Sequence, residues 1–251
     1  MQRVTKGIIL AGGKGTRLFP LTKVISKHLL PVYKKPLIFY PLETLIKAKI
    51  NDILVISDST NIKLLKKLLG NGLNNKVRIN YKIQTYPNGI SEAFIIGNKF
   101  IGKDHVCLIL GDNIFNHTKE LSKLIQSALI NLKKNLCTIF TKPVSNPSSF
   151  GIAYFNKKKK IINIIEKPKK KKSNMAVVGM YFFTNDVIKK TKILKPSKRN
   201  ELEITSLIKL YIDEGRVAVK NLKNIFWADC GTFDSLLNTS IKIKKLMNLN
   251  K

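Results

Sequence analysis

The sequence predicts an α/β fold, a parallel sheet covered by helices on both faces. Three observations carry that prediction. Wholly apolar runs recur at Gly7-Ile8-Ile9-Leu10-Ala11, at Ile53-Leu54-Val55-Ile56 and at 106–110, as strands buried on both faces require. Stretches with helical spacing separate them. The first 115 residues therefore alternate strand, helix, strand, helix, strand, helix, strand, which crossover helices on a parallel sheet explain.

Taken in order, the first apolar run breaks into Gly12-Gly13-Lys14-Gly15-Thr16-Arg17. Residues 19–28 mix polar and apolar types and predict irregular chain or a short helix. Helical spacing of Leu42, Leu45 and Ile46 predicts a helix over 37–49. The strand at 53–57 is followed by an amphipathic helix over 61–69, stopped by Gly70-Asn71-Gly72. Alternation predicts a strand over 77–84, with Gln84 at its end; a helix over 91–99 and the strand at 106–110 follow. Further on come a helix over 121–133, a strand over 136–140, a hairpin of 152–155 with 161–166, and a strand over 176–183. A helix over 204–215, a strand over 217–222 and a terminal helix over 233–248 complete the chain. The second half reads as an accessory sheet packed on the first.

At 251 residues and 44% hydrophobic content the chain can bury a full core. Its net charge of +31 suggests a polyanion partner. Yet only Arg3, Arg17, Arg78, Arg199 and Arg216 among the 46 basic residues are arginine, and nucleic-acid readers favour arginine forks. No aromatic residues interleave with the lysine runs at 157–160 and 169–172, so the stacking pattern of single-strand binders is missing. A nucleic-acid partner is disfavoured. Cys107, Cys137 and Cys230 have neither zinc-ligand spacing nor an even count. The N-terminal apolar run is too short for a signal peptide, and no stretch has membrane length. A cytoplasmic protein without a membrane partner is expected.

Chemistry concentrates at strand ends. A strand running into glycines and basic residues makes an anion cradle, because backbone N–H groups can approach a phosphate closely. The P-loop spacing is absent, and a dinucleotide fingerprint would need a glycine where Leu18 stands. Lys14, Arg17 and Lys27 add positive charge. Asp112 follows a buried strand and Asp229 precedes Cys230-Gly231-Thr232; two such carboxylates suit Mg²⁺, which prefers oxygen ligands together with substrate phosphates. Glu166-Lys167-Pro168 closes a strand with one group for sugar hydroxyls and one for a phosphate.

Together these pieces resemble the sugar-1-phosphate nucleotidyltransferase family. The matching stretches are GIILAGGKGTRLFPLTKVISKHLLPV, YPLETLIKAKINDILVIS, GNGL, YKIQTYPNGISEAFIIG, LILGDNIF, IIEKP, NMAVVGMYFF, LKPSKRNELEIT and WADCGTFDSLL, in the family's order over almost the whole chain. The resemblance is greatest to the bacterial branch that joins glucose 1-phosphate to dTTP, releasing pyrophosphate and giving dTDP-glucose, a first step towards dTDP-rhamnose. It implies a Rossmann-like fold with a mixed, mostly parallel sheet and a small accessory sheet. It also implies one domain over 1–251, with a nucleotide-binding half (1–115) and a sugar-phosphate half (116–251). Leu10, Ala11, Gly12, Gly13, Lys14, Gly15, Thr16 and Arg17 would lie along the nucleotide, with Gln84, Pro87 and Gly89 at the base. Asp112 and Asp229 would hold Mg²⁺. Gly151, Glu166, Lys167, Val177, Thr205 and Trp227 would line the sugar-phosphate site. Arg17, Lys27, Asp112, Lys167 and Asp229 would carry catalysis, in a cytoplasmic homo-oligomer, a dimer or tetramer.

Departures from the family pattern are His28 for Gln, Ser149-Phe150-Gly151 for Arg-Tyr-Gly, Cys230 for Thr and Ser206 for Asp. Longer members carry about forty further residues, a tail of the kind that tolerates truncation. Weak or lost feedback by the end-product sugar nucleotide is the corresponding expectation. UTP in place of dTTP, and a non-catalytic nucleotide-sugar sensor, are the alternatives.

Overall fold

A computed structural model describes residues 4–72, 76–169 and 172–248. Arg3, Leu73 of the GNGL stretch and part of the 169–172 lysine run lie outside them. In chain order the elements begin with β1 (Thr5–Leu10), β2 (Pro31–Val32), β3 (Lys35–Pro36), α1 (Phe39–Lys47), β4 (Asp52–Ser57), α2 (Ser59–Leu69) and β5 (Arg78–Ile83). Then follow α3 (Glu92–Ile96), α4 (Asn98–Ile101), β6 (His105–Leu110), β7 (Asn113–Phe115), α5 (Lys119–Lys133), β8 (Cys137–Pro143), β9 (Gly151–Phe155) and β10 (Ile161–Glu166). The chain continues through β11 (Met175–Phe183), α6 (Val187–Lys192), α7 (Ile204–Asp213), β12 (Val217–Asn221), β13 (Trp227–Asp229) and α8 (Phe233–Asn248).

β1 pairs in parallel with β4 on one side and β6 on the other, and β4 pairs in parallel with β5. Ile8, Ile9, Ile53, Val55, Leu108 and Ile109 are wholly buried, so these runs are apolar on both faces. One face packs against α1, α2 and α5 and the other against α3, α4, α6 and α7. α2 shows how the local sequence does this. The Asp58 carboxylate accepts from the amides of Thr60 and Asn61 at 3.1 and 2.9 Å and starts the helix. Ile62, Leu65 and Leu69 form its buried stripe, each contributing about 1.5–3 kcal/mol, and Gly70 at φ 60 stops it.

Two expectations change. The helix expected over 91–99 is two short helices split at Gly97, where a Cβ would meet the Ala93 carbonyl at 2.9 Å and Ile8 at 3.0 Å. Apart from β13, the strands of the second half do not form a separate sheet. They extend the central one to nine strands, through β11 pairing antiparallel to the open edge of β6. β11 takes β8 along its other side, β12 pairs in parallel with β8, and the β9–β10 hairpin joins at Ala176. Small antiparallel sheets are present, as the pairs β2–β3 and β7–β13. Cys107, Cys137 and Cys230 are free and buried. No helix among the described residues is long and apolar enough to cross a membrane.

Candidate active site

The carboxyl ends of the parallel strands open into two clefts. The first is lined by Leu10, Gly12, Gly13, Lys27, Gln84, Pro87, Gly89 and Asp112, together with His28 and Glu201. The second is lined by Arg17, Asn113, Gly151, Glu166, Lys167, Val177, Thr205, Trp227 and Asp229. Ile90 and Leu110 border both, so the clefts adjoin. Lys14 lines a recess beside the first cleft. Ala11, Gly15 and Thr16 line neither cleft and instead shape the loop. The Ala11 amide donates to the Ile56 carbonyl at 2.7 Å, and Ser57 Oγ donates to the Ala11 carbonyl at 2.6 Å. Gly15 sits at φ 61 and accepts from Thr22 Oγ1 at 2.7 Å, just before a short 3-10 turn holding Thr16 and Arg17.

The paired strands β7 and β13 bring the two aspartates together. Asp229 lies opposite Asn113 in that register, and the Cys230 amide donates to the Asp112 carbonyl at 3.0 Å. Lys27 forms a salt bridge with Asp112. Burial opposes both charges, but each partner more than offsets it: the Lys27 ammonium is pushed above its ordinary value and the Asp112 carboxyl is held well below. Asp229 is pushed up to about 6, by burial and then by the Asp112 carboxylate. Its Oδ1 is buried without a hydrogen-bond partner. A methyl on Gly231 would lie 2.5 Å from Arg17 Nη2 and 2.9 Å from Asp229 Oδ1, so glycine there lets the guanidinium lie along the acid pair. Two facing carboxylates with an orphaned buried oxygen fit a divalent cation, whose remaining ligands would be phosphates and water. No cluster of three or more His, Cys, Asp or Glu suited to a metal occurs among the described residues.

In the second cleft, Glu166 ends β10, and a Cβ on Gly151 would lie 2.5 Å from Thr205 Cγ2 and 3.3 Å from Glu166 Oε2. Burial, then Glu203, push its carboxyl up. Lys167 follows at φ 43, and its amide donates to the Phe150 carbonyl at 3.0 Å. The Phe150 ring stands edge-on to Trp227, with centroids 5.6 Å apart.

Three residues that the sequence reading left unassigned contribute here. Asn113 Nδ2 donates to Asp112 Oδ1 at 3.0 Å, while its Oδ1 accepts from Trp227 Nε1 at 2.7 Å and the Gly179 amide at 3.0 Å. It ties the acid pair to the wall of the second cleft. Arg199 Nη1 lies 3.5 Å from both Glu166 and Glu203; the available signal was its being one of five arginines in a lysine-rich chain. His28 is buried, with Nδ1 3.0 Å from Ser26 Oγ. Burial, then Lys27, lower its pKa to about 3, so the ring is neutral.

Gly89 lies at φ +106, and a Cβ there would meet the Leu202 main chain at 2.6 Å. The Leu202 amide donates to the Asn88 carbonyl and the Ser91 amide to the Leu202 carbonyl, at 2.6 and 3.1 Å. Gly89→Ala is therefore expected to cost about 3 kcal/mol or more of stability, read by urea denaturation.

A family model described as nucleotidyl transferase matches residues 6–245. The chain belongs to that family and is a nucleotidyltransferase enzyme. The glucose-1-phosphate thymidylyltransferase of Neisseria meningitidis serogroup A / serotype 4A is 45% identical to it over 245 residues, covering 97% of this chain and 84% of the relative. That of Mycobacterium tuberculosis (strain H37Rv) is 45% identical over 242 residues, covering 96% and 83%. A Bacillus anthracis structure described as a glucose-1-phosphate thymidylyltransferase in complex with a sucrose superposes with a TM-score of 0.87 at 36% identity, over 95% of this chain and 94% of the other. A UDP-glucose pyrophosphorylase complexed with UDP-glucose gives 0.84 at 25% identity, over 96% and 99%.

Proposed function

We propose that the protein is a glucose-1-phosphate thymidylyltransferase, joining dTTP and glucose 1-phosphate to give dTDP-glucose and pyrophosphate. The observation that carries this reading is the meeting of two adjoining clefts at the Asp112–Asp229 pair, with Lys27 and Arg17 beside it. The first cleft takes the nucleotide, with its phosphates over Gly12 and Gly13 and its base at Gln84. The second takes the sugar, with hydroxyls on Glu166 and the phosphate on Lys167 and Arg199.

A phosphate oxygen of the sugar phosphate attacks the α-phosphorus of dTTP. The bond from that phosphorus to the pyrophosphate oxygen breaks, and pyrophosphate leaves. The nucleophile is already anionic, so no general base is required, and the neutral His28 takes no part in proton transfer. Catalysis is alignment and charge neutralisation. Lys167 and Arg199 place the incoming phosphate. Lys27 bridges phosphates from beside Asp112, and Arg17 neutralises charge that grows on the transferring and departing groups. Asp112 and Asp229 would hold Mg²⁺, which would supply Lewis-acid charge neutralisation at the reacting phosphate.

Thymine and uracil differ by one methyl, worth about 1–3 kcal/mol in a pocket. A comparison of kcat/KM for dTTP and UTP with glucose 1-phosphate tests the assignment. A higher value with dTTP is expected; a higher value with UTP would make the protein a uridylyltransferase. The cytoplasm as its location and a homo-oligomeric state belong to the same proposal.

A further inference from the structure

Gln84 follows the edge strand β5 at its carboxyl end and lines the first cleft, and its two amide atoms have different neighbours. Its Nε2 donates to Glu92 Oε2 at 2.7 Å and lies 3.5 Å from the Gly89 carbonyl. The other Glu92 oxygen accepts from Asn88 Nδ2 at 2.9 Å. A carboxylate only accepts hydrogen bonds, so Glu92 determines which way the Gln84 amide points. The nitrogen turns to Glu92 and Oε1 turns to the glycine loop, 2.8 Å from where a Cβ on Gly12 would stand. Flipping the amide would set its oxygen against a carboxylate oxygen, and Gln84, only 6% exposed, has little solvent to compensate.

We propose that Glu92 is a positioning residue that sets base selectivity by presenting Gln84 to the nucleotide as a hydrogen-bond acceptor. This rests on the nucleotide reading of the first cleft. An acceptor there matches a pyrimidine with an imide N–H, the group shared by thymine and uracil. It opposes cytosine, which offers an acceptor at the same ring position. Glu92 thereby selects the imide-bearing class, while the choice between thymine and uracil is made elsewhere.

The test is equilibrium binding of dTTP and dCTP, by titration calorimetry without sugar phosphate, to the wild-type protein and to Glu92→Gln. The wild type is expected to prefer dTTP by about 10²-fold. In Glu92→Gln the carboxylate is gone and either amide orientation can be satisfied. The preference should fall by about tenfold or more, mainly through tighter dCTP binding, with the melting temperature little changed. A merely structural role would weaken both ligands alike. An unchanged dTTP-to-dCTP ratio in Glu92→Gln, or an equal loss for both, would overturn the proposal while leaving the enzyme reading intact. Failure of the wild type to bind either nucleotide would overturn the nucleotide reading and the proposal with it.

Discussion

Arg17→Ala is expected to lower kcat by about 10²–10⁴-fold while the protein stays folded. Arg17 is exposed, so folding does not depend on its guanidinium; changes at such positions usually alter stability by about 0.5 kcal/mol or less. A Cβ on Gly231 would meet both its Nη2 and Asp229 Oδ1, and in the proposed mechanism charge would build up there as the phosphorus–oxygen bond to pyrophosphate breaks. An interaction made mostly in the transition state lowers kcat and kcat/KM together and changes KM little. Steady-state kinetics with both substrates varied, alongside a melting curve, checks this. Near-normal kcat in a folded Arg17→Ala protein would remove Arg17 from the mechanism.

Asp229→Asn should have opposite effects on activity and stability. Turnover should fall by about 10²-fold or more as the acid pair is broken. Yet the metal-free variant should be more stable than the metal-free wild type at neutral pH. The folded-state pKa of Asp229 is raised to about 6, against about 3.9 in the unfolded chain. Its contribution to stability is fully present below the unfolded value and is lost as pH rises through 6. The wild type therefore forfeits up to about 3 kcal/mol between pH 4 and pH 7, and the asparagine variant does not. The depressed Asp112 carboxyl contributes with the opposite sign and is lost in acid, but it is common to both proteins. Denaturation in chelator from pH 4 to 8 should show a stability gap that opens with pH. Magnesium should then stabilise the wild type and not the variant. A gap independent of pH would contradict the electrostatic account of the acid pair.

The sequence makes the first-half sheet legible because β1, β4 and β6 are buried on both faces and their apolar runs have no other explanation. Glycines and Asp112 at the ends of such strands point to the crevice, since parallel strands all open the same way. The second half is less legible. A strand that adds antiparallel to an open edge has the same pattern as one in a separate sheet, so the continuation through β11 could not be read in advance. The juxtaposition of Asp112 and Asp229 depends on β7 and β13, three residues each, too short to show a period. His28 stood out only as a departure; its burial against Gly111, where a Cβ would meet the ring at 2.7 Å, comes from long-range packing. Glu92 reads as an ordinary acid at a helix start until Gln84 and Asn88 are placed around it.

In the proposed reaction two substrates meet at one acid pair and react directly. Pyrophosphate release from dTTP, measured with magnesium in the presence and absence of glucose 1-phosphate, tests it most directly. Release should require both substrates and the metal, and should match dTDP-glucose formed one for one. Release from dTTP alone at a comparable rate, or no release with any pairing of nucleoside triphosphate and sugar 1-phosphate, would contradict it.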